Sequence, residues 1–300
     1  MRVVLSTAIR FVAVTVLYFV CFVVVSGALL STTAEQPTPS DASATLSALL
    51  AVSFINAAVW TYIIRRSSWT GWKLILTVLL LFYGVNTFMP QIETAYFIQR
   101  LPPGMLPRLF LAGVIIAAVF APLAVLILGK AKTRANETSR DSWLKLPLTA
   151  WLVKLSLIVI AYLLIYFTFG YFIAWKNDAV RAYYNGEDPG NIITHLANVL
   201  RDEPVLFVLQ AVRALLWAAL AVPVIKMIKG EWWESGFAVA LLFAVMPSLL
   251  LLPNPLMPDE VRMAHLLETT TSNFLFGWLV VLILRSNFPK YSRGRQTLAT

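Results

Sequence analysis

Residues 258–285 read PDEVRMAHLLETTTSNFLFGWLVVLILR. The segment begins as a polar helix and ends as an apolar one. His265, Glu268, Thr269, Ser272 and Asn273 come first, and Phe274 to Leu284 then suit only lipid or a bundle interior. A period of about 3.6 residues sets His265, Glu268, Thr269 and Ser272 on one helical face. Polar and ionisable side chains are costly at membrane depth and face a cavity or a partner rather than lipid. This stretch therefore predicts a transmembrane helix whose upper half carries function.

The composition extends that reading to the whole chain. Of 300 residues, 59% are hydrophobic and 13% charged, and the mean hydropathy is +0.75. A soluble domain carries about 25% charged and 45–50% apolar residues, so a soluble fold is excluded. Several apolar runs reach the roughly 20 residues that cross a bilayer as helix, and they lack the alternation of a lipid-facing barrel strand. An all-α, polytopic helix bundle is expected. The net charge of +9 is spread over short loops, as expected if it sets topology, and a nucleic-acid partner is not expected. Cys21 is the only cysteine, so no disulfide can form within the chain.

Eight spans are expected in a single integral membrane domain, at about 11–30, 44–64, 72–99, 109–128, 147–175, 204–228, 237–252 and 260–285. The first exceeds the 7–15 apolar residues of a signal peptide and is read as a retained span. The third carries Pro90, which removes a backbone donor and should kink its outer half. Residues 176–203 form the largest outer loop. Basic residues collect on the cytoplasmic side of membrane proteins. With both termini inside, this arrangement puts 17 of the 24 Lys and Arg residues in the inner half. The expected location is the cytoplasmic (inner) membrane.

Depth singles out the functional candidates. Arg213 lies roughly 15 Å into the sixth span at 1.5 Å per residue. A guanidinium there costs about 2.5–3.5 kcal/mol on insertion scales, so it should meet a carboxylate. Glu268 is the first expected partner and Glu93 the second. Together with Gln91, Asn86, Gln210 and Asn273 these residues make the predicted substrate-binding set, built by the third, sixth and eighth spans.

Three functions compete for it. Transport of a small molecule or ion leads, because intramembrane ionisable groups mark solute and proton pathways. A hydrolase is the second, with His265, Glu268 and Glu93 holding a divalent metal that activates water. His-Glu-x-x-His, Gly-x-Ser-x-Gly and phosphate-loop signatures are all absent. The third is structural: polar side chains joining helices, at about 0.6 kcal/mol each, in a sensor or partner-binding component. His195 is expected to be a solvated surface histidine, and Trp175, Tyr183 and Tyr184 an interfacial belt, with a substrate-binding lid as the secondary reading.

Overall fold

A peptide group in hydrocarbon has no water to bond, so a chain this apolar must close its backbone hydrogen bonds within each segment. The computed structural model describes residues 2–30, 39–98, 101–133, 146–254 and 256–286. Among them the regular structure is helical, with one isolated bridge between Ser67 and Ile228. The first five helices are α1 (Leu5–Leu29), α2 (Ala42–Arg66), α3 (Gly71–Phe97), α4 (Met105–Ile127) and α5 (Leu148–Trp175). Two short helices follow, α6 (Asp178–Tyr184) and α7 (Ile192–Asp202). The chain then continues as α8 (Pro204–Met227), α9 (Trp232–Leu251) and α10 (Asp259–Arg285). Eight of the helices, all but α6 and α7, are long and apolar enough to cross a bilayer. The protein is an all-α, multi-pass membrane protein. Side chains such as Ile9, Val12, Val16 and Val20 on α1 stay uncovered, a stripe that water would oppose and lipid accepts.

Aromatic rings fill the bundle. Trp60, Phe82 and Phe120 join α2, α3 and α4, with centroids 5.3 Å apart for Trp60–Phe82 and 4.7 Å for Phe82–Phe120. Trp217 and Phe243 do the same for α8 and α9 at 4.3 Å. The backbones of α9 and α10 approach so closely that a Cβ on Gly277 would lie 2.6 Å from the Ala240 Cα. Small residues permit this contact, as they commonly do between membrane helices.

One end of the bundle is basic and tightly tied. The Lys130 Nζ donates to the Ser67 carbonyl at 2.8 Å, Ser68 Oγ donates to the Met227 carbonyl at 2.9 Å, and Arg66 pairs with Glu234. Lys154, which its place near the inner end of the fifth apolar run would let snorkel to the interface, is instead 1% exposed. Its ammonium donates to the carbonyls of Ile283, Leu284 and Ser286 at 2.8, 2.7 and 2.7 Å. It thereby satisfies carbonyls that the end of α10 cannot pair internally. Arg134, Arg140, Lys145 and the basic tail from Lys290, all read as cytoplasmic, lie outside the described residues.

Pro90 does not break α3. The helix runs through it, and the five residues Gly84–Phe88 just before it wind as a wide π turn. Met89 N–H reaches back to the Gly84 carbonyl, a bond one residue longer than in an α-helix. The wider turn makes room for the proline ring and adds a residue to the helical count. A second π turn, Gly170–Trp175, ends α5. This second turn stands at the end of the bundle away from the basic loops, whereas Gly84–Phe88 lies partway along α3.

Candidate functional site

At that end the helices leave a cavity of about 990 Å³. Its walls come from the ends of α3, α5 and α9 and the beginnings of α4, α8 and α10, with α7 contributing His195 and Val199. Glu93, Arg213, His265 and Glu268 all line it, and so do Gln91 and Asn273. Asn86 and Gln210 are not among its lining residues.

Arg213 decides the electrostatics. Its side chain is 1% exposed and pairs with Glu93, itself 28% exposed to the cavity. Its Nη1 also donates to the Gln210 Oε1 at 2.8 Å. The pairing expected first, Arg213 with Glu268, is therefore not made, and Glu93 takes that place. The reason lies in α3: the π turn re-aims every residue after Phe88, bringing Glu93 round to α8. Arg213 Nε, Gln210 Nε2 and Gln91 Oε1 are buried without a hydrogen-bond partner among the described residues. Buried polar atoms of this kind normally find water or a ligand.

Glu268 has a different neighbour. Its Oε2 lies 2.8 Å from His265 Nδ1, and His265 Nε2 lies 3.3 Å from the Tyr184 hydroxyl. An ionised carboxylate only accepts, so Nδ1 carries the proton and, in the neutral ring, Nε2 accepts from Tyr184. The result is a hydrogen-bonded relay of Tyr184, His265 and Glu268. Gly170 lets the relay sit where it does, because a Cβ there would stand 3.3 Å from the Glu268 Oε1. Side-chain exposures of 21% for His265 and 13% for Glu268 leave both within reach of the cavity.

The three-ligand set expected for a metal is not assembled. Among the described residues no group of three or more His, Cys, Asp or Glu side chains is placed to hold a metal ion. Glu93 is held on Arg213, so His265 and Glu268 have no third ligand. The amides Asn86 and Asn273 join helices. Asn86 Nδ2 donates to Asn56 Oδ1 at 3.0 Å, Asn56 Nδ2 donates to Ser248 Oγ at 2.9 Å, and Asn273 Nδ2 donates to the Phe243 carbonyl at 3.2 Å.

Sequence reasoning missed the aromatic wall. Tyr162 and Tyr166 on α5 line the cavity, as do Tyr171, Trp175 and Tyr184. The spacing of Tyr162 and Tyr166, four apart on one face of an apolar helix, was the available signal. His195 is not a solvated surface group: its ring lies 5.7 Å from both the Tyr171 and the Trp175 centroids. Burial there lowers its pKa from the ordinary 6.5. Tyr184, at one end of the relay, has its hydroxyl pKa raised, chiefly by burial and next by the neighbouring Tyr183.

Compared with known protein families, curated proteins and solved structures, the chain matches none.

Proposed function

We propose that this membrane protein is transporter-like and takes a small solute or ion into the cavity. The observation that carries the reading is the convergence of Arg213, Glu93, His265 and Glu268, from three separate spans, on one large cavity. Charged groups at such depth are expensive, and a solute pathway is a common reason for keeping them. One departure from regular helix, Gly170–Trp175, puts Gly170, Tyr171, Ala174 and Trp175 in the cavity wall, and another, Gly84–Phe88, comes just before the lining residues Pro90 and Gln91. Irregular backbone at membrane depth occurs where it lines protein or water, and π turns often accompany functional sites. By the positive-inside rule the basic end faces the cytoplasm, so the cavity opens outward from the cytoplasmic membrane.

A structural role is favoured for Asn86 and Gln210 among the predicted set, because neither lines the cavity and each is bonded inside the bundle, Asn86 to Asn56 and Gln210 to Arg213. The test is flux in proteoliposomes across a panel of cationic, anionic and neutral solutes. The intact protein should move at least one class, and Arg213→Leu should abolish that flux while remaining monodisperse. Absence of flux throughout the panel for the intact protein would remove the transport reading.

A further inference from the structure

Resting on the solute-cavity reading above, we propose that the cavity takes an organic cation: an amine or onium centre carrying an apolar body, seated by Glu268 against the tyrosine wall. The ionisable groups that line the cavity are three carboxylates, Glu93, Glu203 and Glu268, one guanidinium, Arg213, and the imidazoles of His195 and His265. Three carboxylates against one guanidinium leave a surplus of negative charge, and one unit of it remains even when His265 carries a proton on both nitrogens. Arg213 and Glu93 cancel each other, so the surplus resides on Glu203 and on Glu268, which has only the imidazole of His265 beside it. Glu203 precedes the first residue of α8 and accepts from the Tyr96 hydroxyl at 3.4 Å. Being exposed, it is the carboxylate that an entering cation meets first.

Glu268 lies deeper, with its Oε2 on His265 Nδ1 and its Oε1 beside Gly170. An anion would have to displace the Glu93 carboxylate from a guanidinium that is 1% exposed. A cation at Glu268 can use Oε1 and leave the contact of Oε2 with His265 in place. Its surroundings suit a positive centre, because the faces of tyrosine and tryptophan rings carry negative potential. Two cavity tyrosines already hold cations of the chain itself: Lys176 Nζ stands 5.1 Å from the Tyr171 centroid and Arg213 Cζ 5.9 Å from that of Tyr162. Tyr166, Trp175 and Tyr184 line the same space, and among the described residues no lysine or arginine stands over these rings. Tyr166 is within electrostatic reach of both Glu93 and Glu268. A cavity of about 990 Å³ is far larger than a bare metal ion or ammonium needs. It matches the upper end of the roughly 300–1,000 Å³ found for organic ligands.

The test is equilibrium binding of radiolabelled tetraphenylphosphonium, a permanent cation, to the purified full-length protein in detergent, with tetraphenylborate as an anion of the same shape. Saturable binding is expected, with tetraphenylborate a poor competitor. Glu268→Gln should weaken binding by about tenfold or more. Tyr166→Leu should weaken it several-fold, whereas Tyr166→Phe, which keeps the ring face, should stay within about threefold of the parent. The Tyr166 pair keeps the test decisive if Glu268→Gln fails to fold. Absence of saturable binding, equal competition by tetraphenylborate, or indifference to both Glu268→Gln and Tyr166→Leu would overturn the cation assignment. Flux of an anionic or neutral solute without tetraphenylphosphonium binding would overturn it too and leave transport standing. Saturable binding of the cation with no flux of any solute would keep the assignment and overturn transport.

Discussion

Glu93→Gln should destabilise this protein more than the removal of the arginine it pairs with. The asymmetry follows from exposure: Arg213 is 1% exposed and Glu93 28%. Without the carboxylate, a guanidinium is left buried against Gln210 alone, which costs about 3–5 kcal/mol for a broken buried pair. Without the guanidinium, as in Arg213→Met, Glu93 can turn to cavity water or take up a proton, and the cost falls to roughly 1–3 kcal/mol. The double variant, Glu93→Gln with Arg213→Met, leaves no buried charge and should lie within about 1–2 kcal/mol of the parent. Thermal unfolding in detergent, followed by tryptophan fluorescence, reads the cycle. At about 2–4 °C per kcal/mol the Glu93→Gln midpoint should fall by on the order of 10 °C, with most of that recovered in the double variant. Effects of the two single changes that add to within about 0.5 kcal/mol would refute the pair.

Other consequences are as specific. Lys154→Met strips the end of α10 of a donor to three carbonyls. It should cost about 2–4 kcal/mol and raise amide hydrogen exchange over residues 280–286, and unchanged exchange would count against the cap. Gly277→Val places a side chain where a Cβ alone would come 2.6 Å from the Ala240 Cα. It should lower the unfolding midpoint by several degrees, whereas Gly27→Ala, where a Cβ meets nothing within 4 Å, should not. His195 has its pKa lowered from 6.5 by burial, so the folded state favours the neutral ring. The stability it lends α7 is complete above about pH 6.5 and is lost as pH falls through the lowered value. Amide exchange in residues 192–202 should rise over that window, and His195→Phe should flatten the dependence.

The helical bundle and its eight spans were legible because hydrocarbon permits few solutions: an apolar run must be helix. The candidate residues were legible for a related reason, since an arginine inside α8 or a glutamate inside α10 contradicts its surroundings. Which of them meet was not legible. Pairing across helices depends on azimuth, and the π turn at Gly84–Phe88 shifts the phase of α3 by one residue, or about 100°. Nothing local announces that shift except Pro90 two residues later, which reads equally as a kink. The tyrosine wall escaped notice because Tyr162 and Tyr166 look like ordinary core in an apolar helix. Only their position opposite Glu268 and Glu93 makes them part of the cavity. Lys154 was misjudged by the same blindness to neighbours: its stem could reach water, but the open end of α10 is nearer.

That the charged groups surround a water-filled space reached from the end opposite the basic loops can be measured by thiol labelling. In a Cys21→Ala background, Ser272→Cys places a thiol in the cavity lining and Leu275→Cys places one on the lipid-facing surface. A charged, membrane-impermeant methanethiosulfonate added to the outer solution should modify Ser272→Cys quickly and leave Leu275→Cys untouched. If Ser272→Cys is as inert as Leu275→Cys, or reacts only from the basic side, the cavity is not an outward-facing solute site.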